Sequence, residues 1–421
     1  MTSVMSAVVG VDSLSDMTDA AGYSRKRKLR NDDELPTIDH ESHEPDRDYS
    51  EERDDGEEGD DEEHSESSSD EVKAPSWLCE TLHAIKKKGD RFGQFGILDL
   101  SGESEYKTFK SLDKKKRQEI RNIFESTVSF PKLPVGEADM LEGIFDRVIT
   151  RLKEPILLDL QTHLEGLIFP TVIENSIRRT IHQYMSNASK LERNSKEVMV
   201  DTLLSNFLTM SLLNVENSAL WTLEPGELQS SGSKAVRSAS TIKSLPGQKL
   251  DLRLTMNEIS FEGLVCLRSG GIETSKKKMR DDLSDLAINM RDNLIKFRSE
   301  NLRANENILN LMFTYGVHTF ENKYTMYGMC NVEHDVFAFG PLFSAPLPLT
   351  YSKHGVEILQ QIFSGLLRMQ IGLTEMEKRG QTIRFSSATT YRDHNRRKSN
   401  FFKRNNVLGS PAFKLNSRRR T

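Results

Sequence analysis

From Gly247 to Gly271 apolar and polar residues alternate in the stretch GQKLDLRLTMNEISFEGLVCLRSGG. A period of two marks β-strands, because successive side chains point to opposite faces of a sheet. In the first strand Leu250, Leu252 and Leu254 share one face, and Asp251 and Arg253 share the other. In the second, Ile259, Phe261, Val265 and Leu267 share a face, with Glu262, Cys266 and Arg268 opposite. A turn centred on Met256–Asn257 would set Asp251 directly across from Glu262, with Cβ atoms about 4.5–5.5 Å apart. Elsewhere the apolar spacing is helical. Val200, Leu203, Leu204, Phe207, Leu208 and Leu212 trace one face of a helix over Lys196–Leu213. Met279, Leu283, Leu286, Met290, Leu294 and Phe297 do the same after the hairpin, and Val356–Met376 predicts a final amphipathic helix.

Shorter helices are predicted from Trp77, over SLDKKKRQEIRNIFEST, and over Glu137–Lys153, Pro155–Leu167 and Val172–Met185. LMFTYGVHTFENKYTMYGMC and DVFAFGPLF read as aromatic-rich strands with a turn near NVEHD, whereas the Ser-rich Leu228–Ser244 reads as a flexible loop. The succession helix, strand, strand, helix, strand, strand, helix predicts an α/β (α+β) fold with one mixed sheet. No internal repeat of about 20–50 residues is visible.

Composition divides the 421 residues further. Only 36% are hydrophobic, the mean hydropathy is -0.55, and the deficit is local. Between Asn31 and Glu71 stand 21 acidic residues against Arg47 and Arg53, a net charge of -19 in a chain of net charge -5. From Arg384 to Thr421 there are 11 Lys/Arg and one acid, Asp393. Segments this charged and this poor in aromatics cannot offset ordering entropy by burial. The expected organisation is therefore a disordered acidic arm over 1–73, a helical region over 74–227 and a linker over 228–245. An α/β core over 246–380 follows, to which the helix at 196–213 contributes, and then a disordered basic tail over 381–421.

Within the arm, Arg25, Lys26, Arg27, Lys28 and Arg30 form a cluster that an acidic groove of a nuclear import receptor would bind. Ser67 and Ser68 precede Asp70 and Glu71 by three residues, a phosphorylation pattern for an acid-directed kinase. Cys79, Cys266 and Cys330 lie too far apart for a zinc ribbon or a disulfide framework. No apolar run spans a bilayer and no basic n-region opens the chain, so a soluble protein of the nucleus is expected, without membrane contact.

Two like charges facing each other at Asp251 and Glu262 require compensation. A divalent metal, Mg²⁺ or Mn²⁺, would supply it, as would Arg253 or Arg268 in a salt-bridge network. Helix, Asp-bearing hairpin, helix and strands together resemble the PD-(D/E)XK, restriction-endonuclease-like superfamily. GQKLDLRL, LVCLRSGG and KKKMRDDLSDL, followed by YGMCNVEHDVFAFGPL, are similar more narrowly to a group of fungal proteins with such a core. The resemblance covers about Lys196–Lys378. It implies that Asp251 is the metal-holding Asp and that Cys266-Leu267-Arg268 occupies the E-x-K slot. Cysteine is a poor Mg²⁺ ligand and arginine does not act as a base, so the resemblance implies an inactive core. Glu197, Asp201 or Glu262 could instead restore a carboxylate.

The scattered histidines form no HxxxH or HExxH pair, and no phosphate-binding glycine loop occurs. In the tail, Arg396, Arg397, Lys398, Lys403 and Arg404 alternate with Phe401 and Phe402. Cations to neutralise phosphates and rings to stack on bases suit DNA or RNA. The expected function is thus a nuclear, nucleic-acid-associated protein with an inactive nuclease-like core and no cofactor. One alternative is an active Mg²⁺/Mn²⁺ nuclease using Asp251 with Glu262 and Arg268. Another is a non-enzymatic chromatin or nucleolar protein whose acidic arm binds basic partners.

Overall fold

The structure is a computed structural model that describes residues 91–101, 109–149, 171–193, 208–210, 221–239, 244–269, 275–302, 304–333, 336–350 and 352–386. The import cluster, Ser67 and Ser68, the acidic arm and the basic tail beyond Ser386 lie outside the described residues, as do Glu197 and Asp201; residues 381–386, expected in the disordered tail, end the last helix instead. So does the helix predicted over Pro155–Leu167.

Seven strands form one mixed sheet in the order β1-β7-β6-β5-β4-β3-β2. They are β1 (Ile97–Asp99), β2 (Trp221–Gln229), β3 (Lys249–Met256), β4 (Phe261–Arg268), β5 (Phe313–Phe320), β6 (Lys323–Glu333) and β7 (Val336–Pro346). The pairs β1·β7 and β4·β5 are parallel and the remaining four are antiparallel. The expected α/β class with a mixed sheet is therefore present.

Helices cover both faces. They are α1 (Arg91–Gln94), α2 (Lys114–Thr127), α3 (Val135–Ile149), α4 (Val172–Arg193), α5 (Ser231–Ala239), α6 (Lys276–Glu300), α7 (Glu306–Asn310) and α8 (Lys353–Ser386). Alternation along β5 separates the two layers. Gly316 lies against Leu286 and Met290 of α6, while Tyr315 beside it lies against Gly372 of α8 and donates its hydroxyl to Ser129 O. α6 is the crossover that a parallel β4·β5 pair requires. Its N-cap Ser275 accepts from Lys278 N at 3.2 Å, and buried Leu286, Met290, Leu294 and Phe297 repeat the predicted spacing. The sheet-facing residues of β4, β5 and β6 are buried on both faces, as expected of central strands between two helical layers.

The Ser-rich segment departs from expectation. Leu228 and Gln229 end β2, and Ser231–Ala239 is the helix α5 rather than a loop. Gly232 lets α5 approach α6 closely, since a Cβ there would sit 2.6 Å from the Asn293 backbone. Two polar clasps tie the α6 layer together. Arg91 holds Asp285 at 2.7 Å and Asp281 at 3.1 Å, and fully buried Arg291 holds Asp292 at 2.6 Å. No helix among the described residues is long and apolar enough to cross a membrane.

Candidate functional site

The β3–β4 hairpin exists, but its turn is wider than Met256–Asn257. A 3-10 turn at Asn257–Ile259 and a left-handed Ser260 (φ 50) close it, with Lys296 Nζ donating to Ser260 O at 2.8 Å. The register then slips at Gly263, so Leu254 pairs Leu264 while Thr255 pairs Glu262. One bulged residue flips the faces of everything beyond it. The wider turn, which already sets Glu262 against Thr255, is what keeps Asp251 and Glu262 from facing each other. Glu262 faces Thr255, four residues along β3 from Asp251, a separation of about 13 Å at the strand rise.

Each carboxylate has its own task. Glu262 is fully buried and accepts from Ser231 N at 2.6 Å and Ser230 Oγ at 3.0 Å, at the N-terminus of α5. There it meets the positive end of the helix dipole and satisfies first-turn donors. Its own backbone is clasped by Asn293, which accepts from Glu262 N at 3.2 Å and donates to Glu262 O. Arg253, with Nη1 at 3.7 Å from Glu262 and Nε at 2.6 Å from Glu224, supplies the compensating cation. Arg253 is thus the salt-bridge partner expected for Glu262.

Asp251 accepts from the Arg268 backbone N–H at 2.8 Å. Direct pairing of Leu252 with Cys266 puts that thiol on the Leu252 face, toward α8, whereas Asp251 lies on the α6 face. On the Asp251 face β4 places Val265 and Leu267 nearest to it, which bring no ligand atom, and farther along Glu262, which is bound at the start of α5. Burial, then the neighbouring Asp251 charge, push the Cys266 thiol far up, so it stays neutral. The residues at the E-x-K slot therefore do not fit a Mg²⁺ or Mn²⁺ ion. No group of three or more His, Cys, Asp or Glu suited to a metal forms among the described residues.

What gathers at this end of the sheet is different. β4 and β5 terminate side by side, and Ser269 N donates to Thr319 O at 2.9 Å. Ser269 Oγ hydrogen-bonds His318 Nε2, and both side chains are buried. Burial first, and the Lys278 cation second, push the His318 imidazole down to about 4, so it is neutral at pH 7. A serine and histidine sealed this way stitch β4 to β5. α6 starts at the same end with Lys276, Lys277 and Lys278 in its first turn and no acid there. Lys278 lies 4.0 Å from Asp282 and remains 44% exposed. Three cations at the positive end of a helix oppose the dipole, so they do not serve helix stability.

Sequence reasoning missed the Ser269–His318 pair and the α5 cap on Glu262. The isolated His318 and the SSGS stretch carried no period to flag them. The tail residues Arg396, Arg397, Lys398, Phe401, Phe402, Lys403 and Arg404 lie outside the described residues. The chain matches no protein-family model, and no curated protein or solved structure matches it.

Proposed function

We propose that this is a nuclear, nucleic-acid-associated protein whose α/β body is a restriction-endonuclease-like core that has lost its metal chemistry. The order of elements around Asp251 carries the reading. The antiparallel run β2–β3–β4 is followed by the crossover α6 and by β5 parallel to β4, with Asp251 on the middle strand of the run. Of that succession, the resemblance implies the Asp-bearing hairpin, the helix after it and the strands that follow. Loss of chemistry is read from the same strand pair. The Asp251 carboxylate accepts from a backbone N–H, the β4 residues nearest to it on its face are the apolar Val265 and Leu267, and the neighbouring thiol is neutral.

Association with nucleic acid is read from charge. Lys276, Lys277 and Lys278 stand at the end of the sheet where Asp251 lies, and the segment from Arg384 to Thr421 adds 11 cations. Each phosphate contact releases counterions, giving a log–log salt slope of about -0.7 to -0.9 per contact. The test is binding of labelled single- and double-stranded DNA and RNA across a salt series. Truncation after Ser386, where α8 ends, is expected to weaken binding and flatten the slope, and Lys276→Glu with Lys277→Glu to flatten it further. Equal affinity and slope in all three proteins would overturn the proposal.

A further inference from the structure

On the α8 side of the sheet, away from the Lys276–Lys278 end of α6, lies a cleft of about 700 Å³ between the end of α2, the segment after it, and β7. Two glycines let the side chains around its floor close onto the sheet. Gly328 and Gly340 pair across β6 and β7. A Cβ on Gly328 would come within 2.6 Å of Val128, and one on Gly340 within 3.2 Å of Leu100. The floor is thus set by backbone, with Leu100, Phe124 and Val128 around it.

The walls are rigid. Tyr315 donates to Ser129 O, Arg368 Nε donates to Pro131 O at 2.6 Å, and Arg379 Nη1 donates to Thr127 O at 3.0 Å, so three side chains fix the carbonyls of one short segment. Arg368 also lies 4.0 Å over the Phe130 ring. Phe130, so held, lines the cleft. Pro131 and Pro341 add two more flat surfaces.

The rim is polar, with exposed Arg121, Glu125 and Ser126 on α2. A pocket of this size suits one compact ligand rather than a chain segment. Pro341 and Pro346 remove N–H donors from the stretch of β7 that β1 leaves uncovered, which disfavours an added peptide strand.

We infer that this cleft is a binding site for one nucleotide unit, its planar base among Phe130, Pro131 and Pro341 and its phosphate on Arg121. A base has a flat apolar face for the walls and polar edges for Glu125 and Ser126, whereas an aliphatic ligand would leave those groups desolvated and unmatched. The unit comes either from free nucleotide or from a strand terminus. The inference is independent of the nuclease-like reading, which concerns the other end and face of the sheet.

The test is calorimetric titration of the full chain with adenosine 5′-monophosphate, adenosine, inorganic phosphate and a 5′-phosphorylated oligonucleotide at fixed ionic strength. The monophosphate is expected to bind saturably and more tightly than adenosine or phosphate. Arg121→Glu should weaken it about tenfold or more, the range for losing a charge-assisted hydrogen bond. Ser126→Trp, which fills the cleft from an exposed position, should abolish it while leaving the far-ultraviolet spectrum and melting temperature unchanged. Competition by the oligonucleotide assigns a strand terminus as the source, and its absence assigns free nucleotide. No saturable binding of the monophosphate at millimolar concentration, or binding that survives Ser126→Trp, would overturn the inference.

Discussion

Glu262 closes the first turn of α5 from inside the protein, taking the Ser231 amide and the Ser230 hydroxyl. Replacing it by alanine leaves that buried amide without its acceptor, which costs about 1–3 kcal/mol. The expected outcome for Glu262→Ala is a lower urea midpoint with an unchanged slope, and an unaltered midpoint would contradict the capping role. Asp251→Ala, by contrast, removes the acceptor of the Arg268 amide at the end of β4 and should cost about 1 kcal/mol for that bond, leaving a folded protein. His318 gives a pH-dependent prediction. Its folded value near 4 lies below the ordinary unfolded value near 6.5, so the unfolded chain binds more protons between them. Stability is then complete above about pH 6.5 and falls toward pH 4, by at most about 1.4 kcal/mol per unit. Melting His318→Gln across that window should give a flatter profile than the parent. Parallel profiles would show that other groups govern the acid limb.

At the scale of elements, α5 against α6 is the contact most sensitive to a single methyl. Gly232→Ala must push α5 off the Asn293 backbone, a clash worth about 1–3 kcal/mol, whereas Gly143 on α3 has nothing within 4 Å of an added Cβ. Gly143→Ala should instead stabilise by about 0.5–1 kcal/mol through helix propensity, so the two midpoints move in opposite directions. Elements with an unbroken period were legible in the chain. α2, α6 and α8 follow their apolar spacing because helix packing imposed it, and the aromatic stretches are strands, although LMFTYGVHTFENKYTMYGMC, expected as one strand, is two, β5 and β6, turned at Glu321 and Asn322. β2 was not legible, because Pro225 and the positive-φ Gly226 sit at its register shift and its side chains are largely exposed. α5 was hidden by serines that act as cap and packing surface rather than as loop. The candidate site suffered most: Asp251, Cys266 and Arg268 are adjacent as the sequence suggested. The wider turn nevertheless sets Glu262 far from Asp251, and one bulged glycine, Gly263, decides that Cys266 faces the other layer. A bulge leaves no signal in an alternating pattern beyond the glycine itself.

At the scale of the whole molecule, charge is distributed by segment: -19 between Asn31 and Glu71, and 11 cations after Ile383. The described body between them carries its own cations at the start of α6 and a metal-unfit carboxylate at Asp251. A protein built this way should hold nucleic acid without cutting it. The most direct test incubates the folded full-length chain and Asp251→Ala with labelled single- and double-stranded DNA in Mn²⁺, reading cleavage and retention from the same samples. The account predicts salt-sensitive binding by both proteins, with no cleavage by either. Cleavage by the parent that disappears in Asp251→Ala would contradict it and restore Asp251 as a metal ligand, and absence of binding would remove nucleic acid from the account.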